Sequence, residues 1–319
     1  MTTTNATTLT PPTPSGTPRP VLAYIGLGLM GGPMSRHLVS RGWTVRGHDI
    51  ATVRMNEAAG HGVQVFASAA EAAEGADLVL LNLPTTDAVE QVMFGPQGVA
   101  RVMQPAQRVV DFSTNEVERG RGFIARLREE RGCAWVDAPV SGGPVAADSG
   151  TLTVMAGATD EDRAALAPLM ADVAARFTVL GPPGSGLVAK MLNQLMVGCL
   201  HATVAEFTVM AESAGIEADL VPQALAGGHA DGVLFQQIYP RMRARDFAPR
   251  GYVRQLLKDL DMVQAFAKSL QVPTPMTAQA QTLYRMLAHL GHTELDTSAV
   301  FKLYERSPAP GDAADPTQP

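Results

Sequence analysis

Short apolar segments alternate with helical patterns over the first half of the chain. The apolar segments span residues 21–25, 44–48, 63–66, 77–83, 108–112, 134–139, 151–156 and 177–180. Between most of them apolar residues recur with a helical period, for example over residues 115–130 and 160–173. Strands that are apolar on both faces and alternate with helices are typical of a parallel sheet covered by helices on each side. We therefore predict an α/β doubly wound, Rossmann-type domain over residues 20–184.

The pattern changes after the turn-rich segment at residues 181–184. Residues 185–214 contain neither proline nor strand-like alternation, and Gly215 follows them as a helix-ending glycine would. Later segments, at residues 219–226, 252–270 and 275–290, keep the helical period. These features predict a long interdomain helix that leads into an all-helical second domain, which spans residues 185–306 and serves substrate binding and dimerisation.

Both ends of the chain have the composition of disordered tails. Residues 1–19 are rich in Thr and Pro with Arg19 as their one charged side chain, and residues 307–319 are similar. Such segments cannot bury enough apolar surface to offset the entropy of ordering. The first segment also lacks the basic and apolar regions of a secretory signal, and an amphipathic Arg-rich transit pattern is missing.

Composition excludes several classes of protein. The net charge is -6 and no run of Lys or Arg occurs, so the electrostatic attraction needed for nucleic acid is missing. The longest apolar segment, residues 187–200, falls short of the roughly 20 apolar residues that cross a bilayer and is interrupted by polar side chains, so no membrane span is expected. Cys133 and Cys199 are too few and too far apart for a disulfide framework or a metal site. A reducing cytoplasm fits best.

A glycine-rich turn follows the first predicted strand and opens a helix. It consists of Gly26, Leu27, Gly28, Leu29, Met30 and Gly31. In that context the pattern is the dinucleotide fingerprint: the glycines allow a tight turn and close approach of the backbone to a pyrophosphate at the helix N-terminus. A purely structural turn is the alternative. We expect these six residues to bind the cofactor.

Asp49 ends the second strand, where an acidic residue would hydrogen-bond the adenosine ribose hydroxyls. Its carboxylate would repel a 2′-phosphate, which favours NAD, although the nearby Arg54 leaves NADP possible. Asp49 could also begin the next helix as its N-cap, and the two roles are compatible.

Lys190, Asn193 and Gln194 are polar residues in an otherwise apolar stretch of the long helix. Their spacing of i, i+3 and i+4 places them on one face, which must meet a polar partner or a wet cleft. A desolvated lysine has a pKa below its usual value of about 10.4 and can exchange protons as a general acid or base. The alternative is a lysine that extends from a packed helix to solvent.

A third candidate site is the loop over residues 137–144, which follows a strand at the sheet edge where ligands bind such folds. Ser141 and the backbone N–H groups of Gly142 and Gly143 could bind a carboxylate there, or the segment could be a plain turn.

Together the motifs resemble the β-hydroxyacid dehydrogenase family, whose members act on 3-hydroxyisobutyrate, tartronate semialdehyde and threonate. The resemblance runs from Pro20 to Glu305 and rests on GLGLMG, then DAPVSGG with GTLTVMAG, then GSGLVAKMLNQ, then LLKDLDM. It implies that Lys190 is the catalytic acid/base and that Ser141, Gly142, Gly143, Asn193 and Gln194 bind substrate. It also implies cofactor contacts at Leu83, Pro84, Thr114 and Lys258. Without it, Lys258 would be interpreted as a solvated lysine paired with Asp261.

The resemblance leaves the substrate open. Gln194 stands where many members carry a second Asn, and KxxNQ is more similar to the tartronate semialdehyde reductase and threonate dehydrogenase branches. Arg241, Arg243, Arg245 and Arg250 could pair with a second polar group of the substrate or lie on the surface.

The expected function is therefore an NAD(P)-dependent oxidoreductase for a small 3-hydroxy acid, with no metal and with a homodimer or homotetramer as its assembly. A decarboxylating phosphogluconate dehydrogenase would carry His-Asn-Gly-Ile-Glu-Tyr beside the lysine, and an imine reductase usually lacks that lysine. A cofactor-binding module without turnover is the alternative outside enzymes.

Overall fold

The computed structural model describes residues 19–305, and the predicted tails lie outside this range apart from Arg19. Arg19 donates a hydrogen bond to Asp172 Oδ2 at 2.5 Å. The chain divides into two compact units, the first ending at Leu192 and the second beginning at Asn193. Most elements of each unit coincide with segments that the apolar pattern predicted.

The first unit contains a mainly parallel sheet. Over the described residues its strands are β1 (Leu22–Ile25), β2 (Val45–His48), β3 (Gln64–Val65), β4 (Leu78–Leu81), β5 (Arg108–Asp111), β6 (Ala134–Asp137), β7 (Val140–Ser141), β8 (Leu152–Gly157) and β9 (Ala174–Gly181). The order is β3-β2-β1-β4-β5-β6-β8-β7, with β9 beside β8. The reversal of strand order beside β1 marks a doubly wound sheet, as predicted.

The last strands depart from the parallel arrangement that the sequence suggested. β8 is antiparallel to β6 and to β7, while β9 is parallel to β8. The chain between β7 and β8 is shorter than the dozen or so residues that a parallel crossover needs, so it returns as an antiparallel strand. β7 itself lies in the segment expected to be a loop, because two residues are too few to show a strand pattern.

Helices cover both faces of the sheet. They are α1 (Gly31–Ser40), α2 (Thr52–Gly60), α3 (Ala69–Ala73), α4 (Thr86–Phe94), α5 (Val117–Arg131), α6 (Gly143–Ser149) and α7 (Asp160–Val173). Successive residues of β1 enter different cores: Tyr24 belongs to the core that contains Met34 and Leu38, whereas Ile25 belongs to the core that contains Met93 and Trp135. Burial on both faces explains why the strand sequences are apolar without alternation.

The second unit is helical, as the sequence indicated. The helix α8 (Ser185–Ser213) runs through the boundary between the units and is followed by α9 (Val221–Leu225), α10 (Val233–Arg243), α11 (Val253–Ser269) and α12 (Pro275–His289). A 3₁₀ segment over Thr297–Tyr304 ends the described chain. Tyr239, Tyr284 and Phe301 are fully buried in the core of this unit.

Among residues 19–305, α8 is the one helix that is long and apolar enough to cross a bilayer. The expectation that the protein has no membrane span stays a prediction. One such helix is weak evidence of a membrane span, because the core helix of a globular protein has the same composition. Leu187, Met191 and Ala205 are buried positions of α8.

Candidate active site

The glycine-rich turn connects β1 to α1 and has no room for a side chain at Gly26 or Gly31. A Cβ at Gly31 would lie 1.8 Å from the carbonyl oxygen of Gly26, so helix and strand approach more closely than any other residue allows. Met30 is the N-cap of α1 and no side chain accepts a hydrogen bond there. The N–H groups and positive dipole at this end of α1 therefore fit the pyrophosphate of a dinucleotide.

Asp49 follows β2 directly and is buried beside the turn. Its two carboxylate oxygens accept hydrogen bonds from Leu27 N and from Ala51 N, both at 2.8 Å. The side chain thus supports the glycine turn and the start of α2 together. Arg54 Nη1 lies 3.6 Å from Asp49 Oδ2, and the same atom lies 3.2 Å from where a Cβ of Gly28 would be. A carboxylate and a guanidinium therefore both border the turn.

Loops after β4 and β5 extend this edge of the sheet. Leu83 N donates a hydrogen bond to Ser113 Oγ at 2.9 Å, and Glu116 N donates to Thr86 Oγ1 at 3.0 Å. Since β1, β4 and β5 are parallel neighbours, their carboxyl ends share one edge. The half-buried Thr114 lies in the β5 loop, and the exposed Pro84 follows Leu83 in the β4 loop. The structure thus brings the predicted cofactor residues of this unit to the edge where doubly wound folds bind nucleotides.

Asp111 is a buried carboxyl group that the sequence reasoning did not single out. Burial raises its pKa to about 7. The carboxyl accepts hydrogen bonds from Ser113 N at 2.9 Å and Asn115 Nδ2 at 2.7 Å, which oppose that rise without cancelling it. Asn115 Oδ1 is buried without a hydrogen-bond partner in the described structure. A protonated Asp111 could donate to that oxygen after the Asn115 amide turns over, so the site suits the neutral acid.

Asp137 is the second missed carboxyl group and lies next to Asp111 in the sheet register. It accepts hydrogen bonds from Gly184 N at 2.6 Å and from Leu187 N at 2.9 Å, at the start of α8. Burial raises its pKa to about 6, although these backbone donors lower it. Gly186 gives the room for this contact, because a Cβ there would lie 2.6 Å from the carbonyl oxygen of Asp137. The DAPVSGG and GSG motifs therefore meet at this point.

Lys190 lies one turn farther along α8 and is only 8% exposed. Its Nζ donates a hydrogen bond to the carbonyl oxygen of Val140 at 2.9 Å. This contact places the ammonium beside Ser141, the next residue of β7. Gly142 and Gly143 follow with φ values of 129° and 70°, in the region that favours glycine. The structure thus joins the predicted lysine to the predicted substrate loop within the first unit.

Asn193 and Gln194 begin the second unit. Asn193 Nδ2 donates to Gln194 Oε1 at 2.7 Å, and Gln194 Nε2 donates to Asp259 Oδ2 at 2.5 Å. Lys258 Nζ lies 3.1 Å from Asp259 Oδ1. The sequence reasoning named three of these residues but missed Asp259. The KDL motif supplied the only signal for it.

The arginines that precede α11 form ion pairs inside the second unit. Arg241 is buried and binds Asp296 at 2.8 Å and Asp246 at 3.0 Å, so it is neither a surface residue nor free for substrate. Arg243 and Arg245 bind Glu212 at 2.8 and 2.6 Å. Arg250 N donates a hydrogen bond to Asp296 Oδ2 at 2.7 Å. This network holds the segment before α11 in place.

Comparison with known proteins agrees with this architecture. Residues 21–181 match the family described as the NAD binding domain of 6-phosphogluconate dehydrogenase. Residues 184–304 match the family described as NAD-binding of NADP-dependent 3-hydroxyisobutyrate dehydrogenase.

Individual relatives match over nearly their whole length. The 2-hydroxy-3-oxopropionate reductase of Escherichia coli is 33% identical over 89% of this chain and 97% of its own. The L-threonate dehydrogenase of Cupriavidus necator is 30% identical over 92% and 98%. The solved structure of Mycobacterium tuberculosis 3-hydroxyisobutyrate dehydrogenase with L-serine has a TM-score of 0.80 and 31% identity, covering 90% of this chain and 99% of that one.

Fold, glycine turn and family matches define an NAD(P)-dependent dehydrogenase. The chain belongs to the β-hydroxyacid dehydrogenase family, the family of 3-hydroxyisobutyrate dehydrogenase.

Proposed function

We propose that this enzyme interconverts a small 3-hydroxy acid, of the threonate, glycerate or 3-hydroxyisobutyrate type, with its oxo acid or semialdehyde, and that Lys190 is the acid/base. The observation that carries the proposal is the hydrogen bond from the buried Lys190 Nζ to Val140 O at 2.9 Å, beside Ser141. A buried amine fixed next to a loop of polar and backbone donors is suited to exchange a proton with a bound hydroxyl group.

Nicotinamide, when bound, supplies the redox chemistry by accepting a hydride from the carbinol carbon or returning one. In the oxidation direction the neutral amine of Lys190 takes the hydroxyl proton while the C–H electron pair leaves the carbon and a C=O bond forms. In reduction the ammonium of Lys190 returns that proton to the oxygen. The hydrogen bond to Val140 O limits the positions of the amine without neutralising it.

Substrate recognition is assigned to two groups of residues. In the first unit, Ser141 and the N–H groups of Gly142 and Gly143 bind the carboxylate. The positive φ values of both glycines support this role, because residues without a Cβ let a ligand approach the backbone N–H groups closely. In the second unit, Asn193 and Gln194 bind the remaining polar groups of the substrate, supported by their hydrogen-bonded pair.

Cofactor binding is assigned to the turn over residues 26–31, with Asp49 on the adenosine ribose, Leu83, Pro84 and Thr114 toward the nicotinamide, and Lys258 in the second unit. The buried carboxylate of Asp49 favours NAD. Arg54, 3.6 Å away, leaves NADP as a usable cofactor.

The alternative substrate is 2-hydroxy-3-oxopropionate (tartronate semialdehyde), favoured by Gln194 after Asn193 and by the relative from Escherichia coli.

We further propose that residues 20–184 and 185–306 are the functional domains and that the enzyme is a cytoplasmic homodimer or homotetramer. Exposed Leu192, Met196 and Leu200, spaced by one turn on α8, support subunit contact.

A spectrophotometric panel tests the proposal. NAD and NADP are each combined with threonate, glycerate and 3-hydroxyisobutyrate, and NADH and NADPH with the corresponding oxo acids or semialdehydes. We expect turnover of at least one pair, faster with NAD(H). NADH binding without turnover of any member would contradict the proposal and favour a cofactor-binding module.

A further inference from the structure

A chain of side-chain hydrogen bonds crosses from α8 to α11 in the second unit. It runs from Asn193 Nδ2 to Gln194 Oε1 at 2.7 Å and from Gln194 Nε2 to Asp259 Oδ2 at 2.5 Å. Gln194 and Asp259 are 8% and 6% exposed, so water competes little for these bonds. Beside them, Gly198 packs against Leu260, where a Cβ would lie 2.6 Å from Leu260 Cδ2. The two helices are therefore close, and the span that Gln194 bridges is fixed.

The direction of this chain follows from the carboxylate at its end. An ionised Asp can only accept hydrogen bonds, so Gln194 must turn its NH₂ group to Asp259. The Gln194 carbonyl oxygen then points away from Asp259 and must receive a donor, which is the NH₂ group of Asn193. The carbonyl oxygen of Asn193 is consequently the accepting end of the chain. An amide without such a partner could present either group, because the two ends have nearly the same shape.

We propose that Asp259 is a positioning residue for Asn193: acting through Gln194, it fixes the orientation of the Asn193 amide so that its carbonyl oxygen accepts a hydrogen bond from a hydroxyl group of the substrate. The inference rests on the proposed role of Asn193 in substrate binding. The proposal requires residue 194 to have an amide side chain with the length of Gln, since the shorter Asn would not reach Asp259 across the same span.

Exchange of one methylene group between the two partners tests the length requirement. Gln194→Asn shortens one side chain and Asp259→Glu lengthens the other, so the double variant keeps both the reach and the total volume. Each single variant should raise the KM for the best hydroxy acid of the panel about tenfold, or about 1.4 kcal/mol. The double variant should recover most of this loss. Asp261→Asn, two residues along α11 and exposed, is the control and should leave KM unchanged.

A double variant with a KM near that of the wild type supports the hydrogen-bonded link from Asp259 to Asn193, because the effects of independent substitutions on binding free energy would add. A double variant as impaired as the product of the single variants would overturn the positioning role.

A second measurement does not depend on turnover. The side-chain ¹⁵N–¹H resonances of Asn193 and Gln194 in the full-length protein, assigned by comparison with Asn193→Ser and Gln194→Met, report the hydrogen bonds directly. Asp259→Ala should shift both NH₂ groups and speed their exchange with solvent, whereas Asp261→Ala should shift neither. An unchanged Asn193 resonance in Asp259→Ala would overturn the proposal. Absence of turnover by the wild-type enzyme would instead contradict the proposed function. The resonance measurement would still decide whether Asp259 orients the amide of Asn193.

Discussion

Asp137 and Leu187 join the end of strand β6 to the first turn of helix α8: Leu187 N donates a hydrogen bond to Asp137 Oδ2 at 2.9 Å. The other carboxylate oxygen of Asp137 accepts from Gly184 N at 2.6 Å. Backbone N–H groups in the first turn of a helix have no partner within the helix, so this carboxylate supplies what the helix cannot. Lys190 follows three residues later. The contact therefore sets the point from which the proposed acid/base is presented.

Replacement of Asp137 with Ala should destabilise the protein and impair turnover. Two buried N–H groups lose their acceptor, at roughly 1–3 kcal/mol each, and the start of α8 is released. Denaturant unfolding and kcat measure the two effects. Asp148→Ala is the control, because it removes only the exposed pair with Arg36 and should cost less than about 1 kcal/mol. Equal losses in the two variants would show that Asp137 has no particular role.

Lys190→Ala should lower kcat by roughly 10²–10⁴, the usual contribution of a positioned proton-transfer group. Binding of NADH, measured by fluorescence titration, should change little, since the glycine turn and Asp49 lie elsewhere in the first unit. Lys190→Arg keeps the charge and is the matched control for burial of a cation. Near-wild-type turnover in Lys190→Ala would remove the lysine from the mechanism.

Much of the architecture was predictable because each unit has a simple hydrophobic pattern. The continuous apolar strands indicated burial on both faces, and Tyr24 and Ile25 do enter opposite cores. The glycine turn was recognisable because its G-x-G-x-x-G spacing follows a strand and opens a helix. The structure shows why Gly31 is required, since a Cβ there would lie 1.8 Å from Gly26 O. Periodicity cannot show strand direction, however, so the antiparallel β8 was missed.

No role was predicted for Asp111, Asp137 or Asp259, although Asp137 begins the candidate loop over residues 137–144. Each is an acidic residue whose importance comes from what the fold brings to it: neighbouring Asn115, the start of α8, or the amide of Gln194. These partners are remote in sequence for the last two, so no local spacing reveals them. Lys190 was found because a lysine in an apolar helix is conspicuous without any knowledge of its partner.

Gly28→Ala should separate cofactor binding from folding. A Cβ there would meet the end of the flexible Arg54 side chain at 3.2 Å, which can move, so the melting temperature should change little. The same Cβ would stand where the pyrophosphate approaches the backbone, and the Kd for NADH should rise by roughly tenfold or more. Gly60→Ala, with nothing within 4 Å of the added atom, is the control and should bind NADH normally. A Kd unchanged in Gly28→Ala would place the dinucleotide elsewhere.

Asp49→Asn should narrow the preference for NAD over NADP. The carboxylate would repel a 2′-phosphate, while Arg54 at 3.6 Å is positioned to attract one once the negative charge is gone. The ratio of kcat/KM for the two cofactors measures the effect. Asn keeps an oxygen for only one of the donors Leu27 N and Ala51 N, so the melting temperature is recorded alongside. An identical ratio in both proteins would deny Asp49 its discriminating role.

Asp111→Asn should change how stability depends on pH. The folded-state pKa of Asp111 is raised from 3.8 to about 7, so between these values the folded protein keeps a proton that the unfolded chain has released. The free energy of unfolding therefore falls as pH rises from about 4 to about 7, and the stabilisation from the proton is fully present only below that window. Asn carries no charge at any pH, and its NH₂ group can donate to the otherwise unpartnered Asn115 Oδ1 after that amide turns over. Relative to wild type, the variant should gain on the order of 2 kcal/mol in unfolding free energy between pH 5 and pH 8.

Urea unfolding of both proteins across this pH range measures the effect. Asp137, the neighbour of Asp111 in the sheet register, has its own pKa raised to about 6 and titrates in both proteins, so the difference between their unfolding free energies reports Asp111. Parallel pH dependences for the two proteins would show that Asp111 is already ionised in the folded state at acid pH.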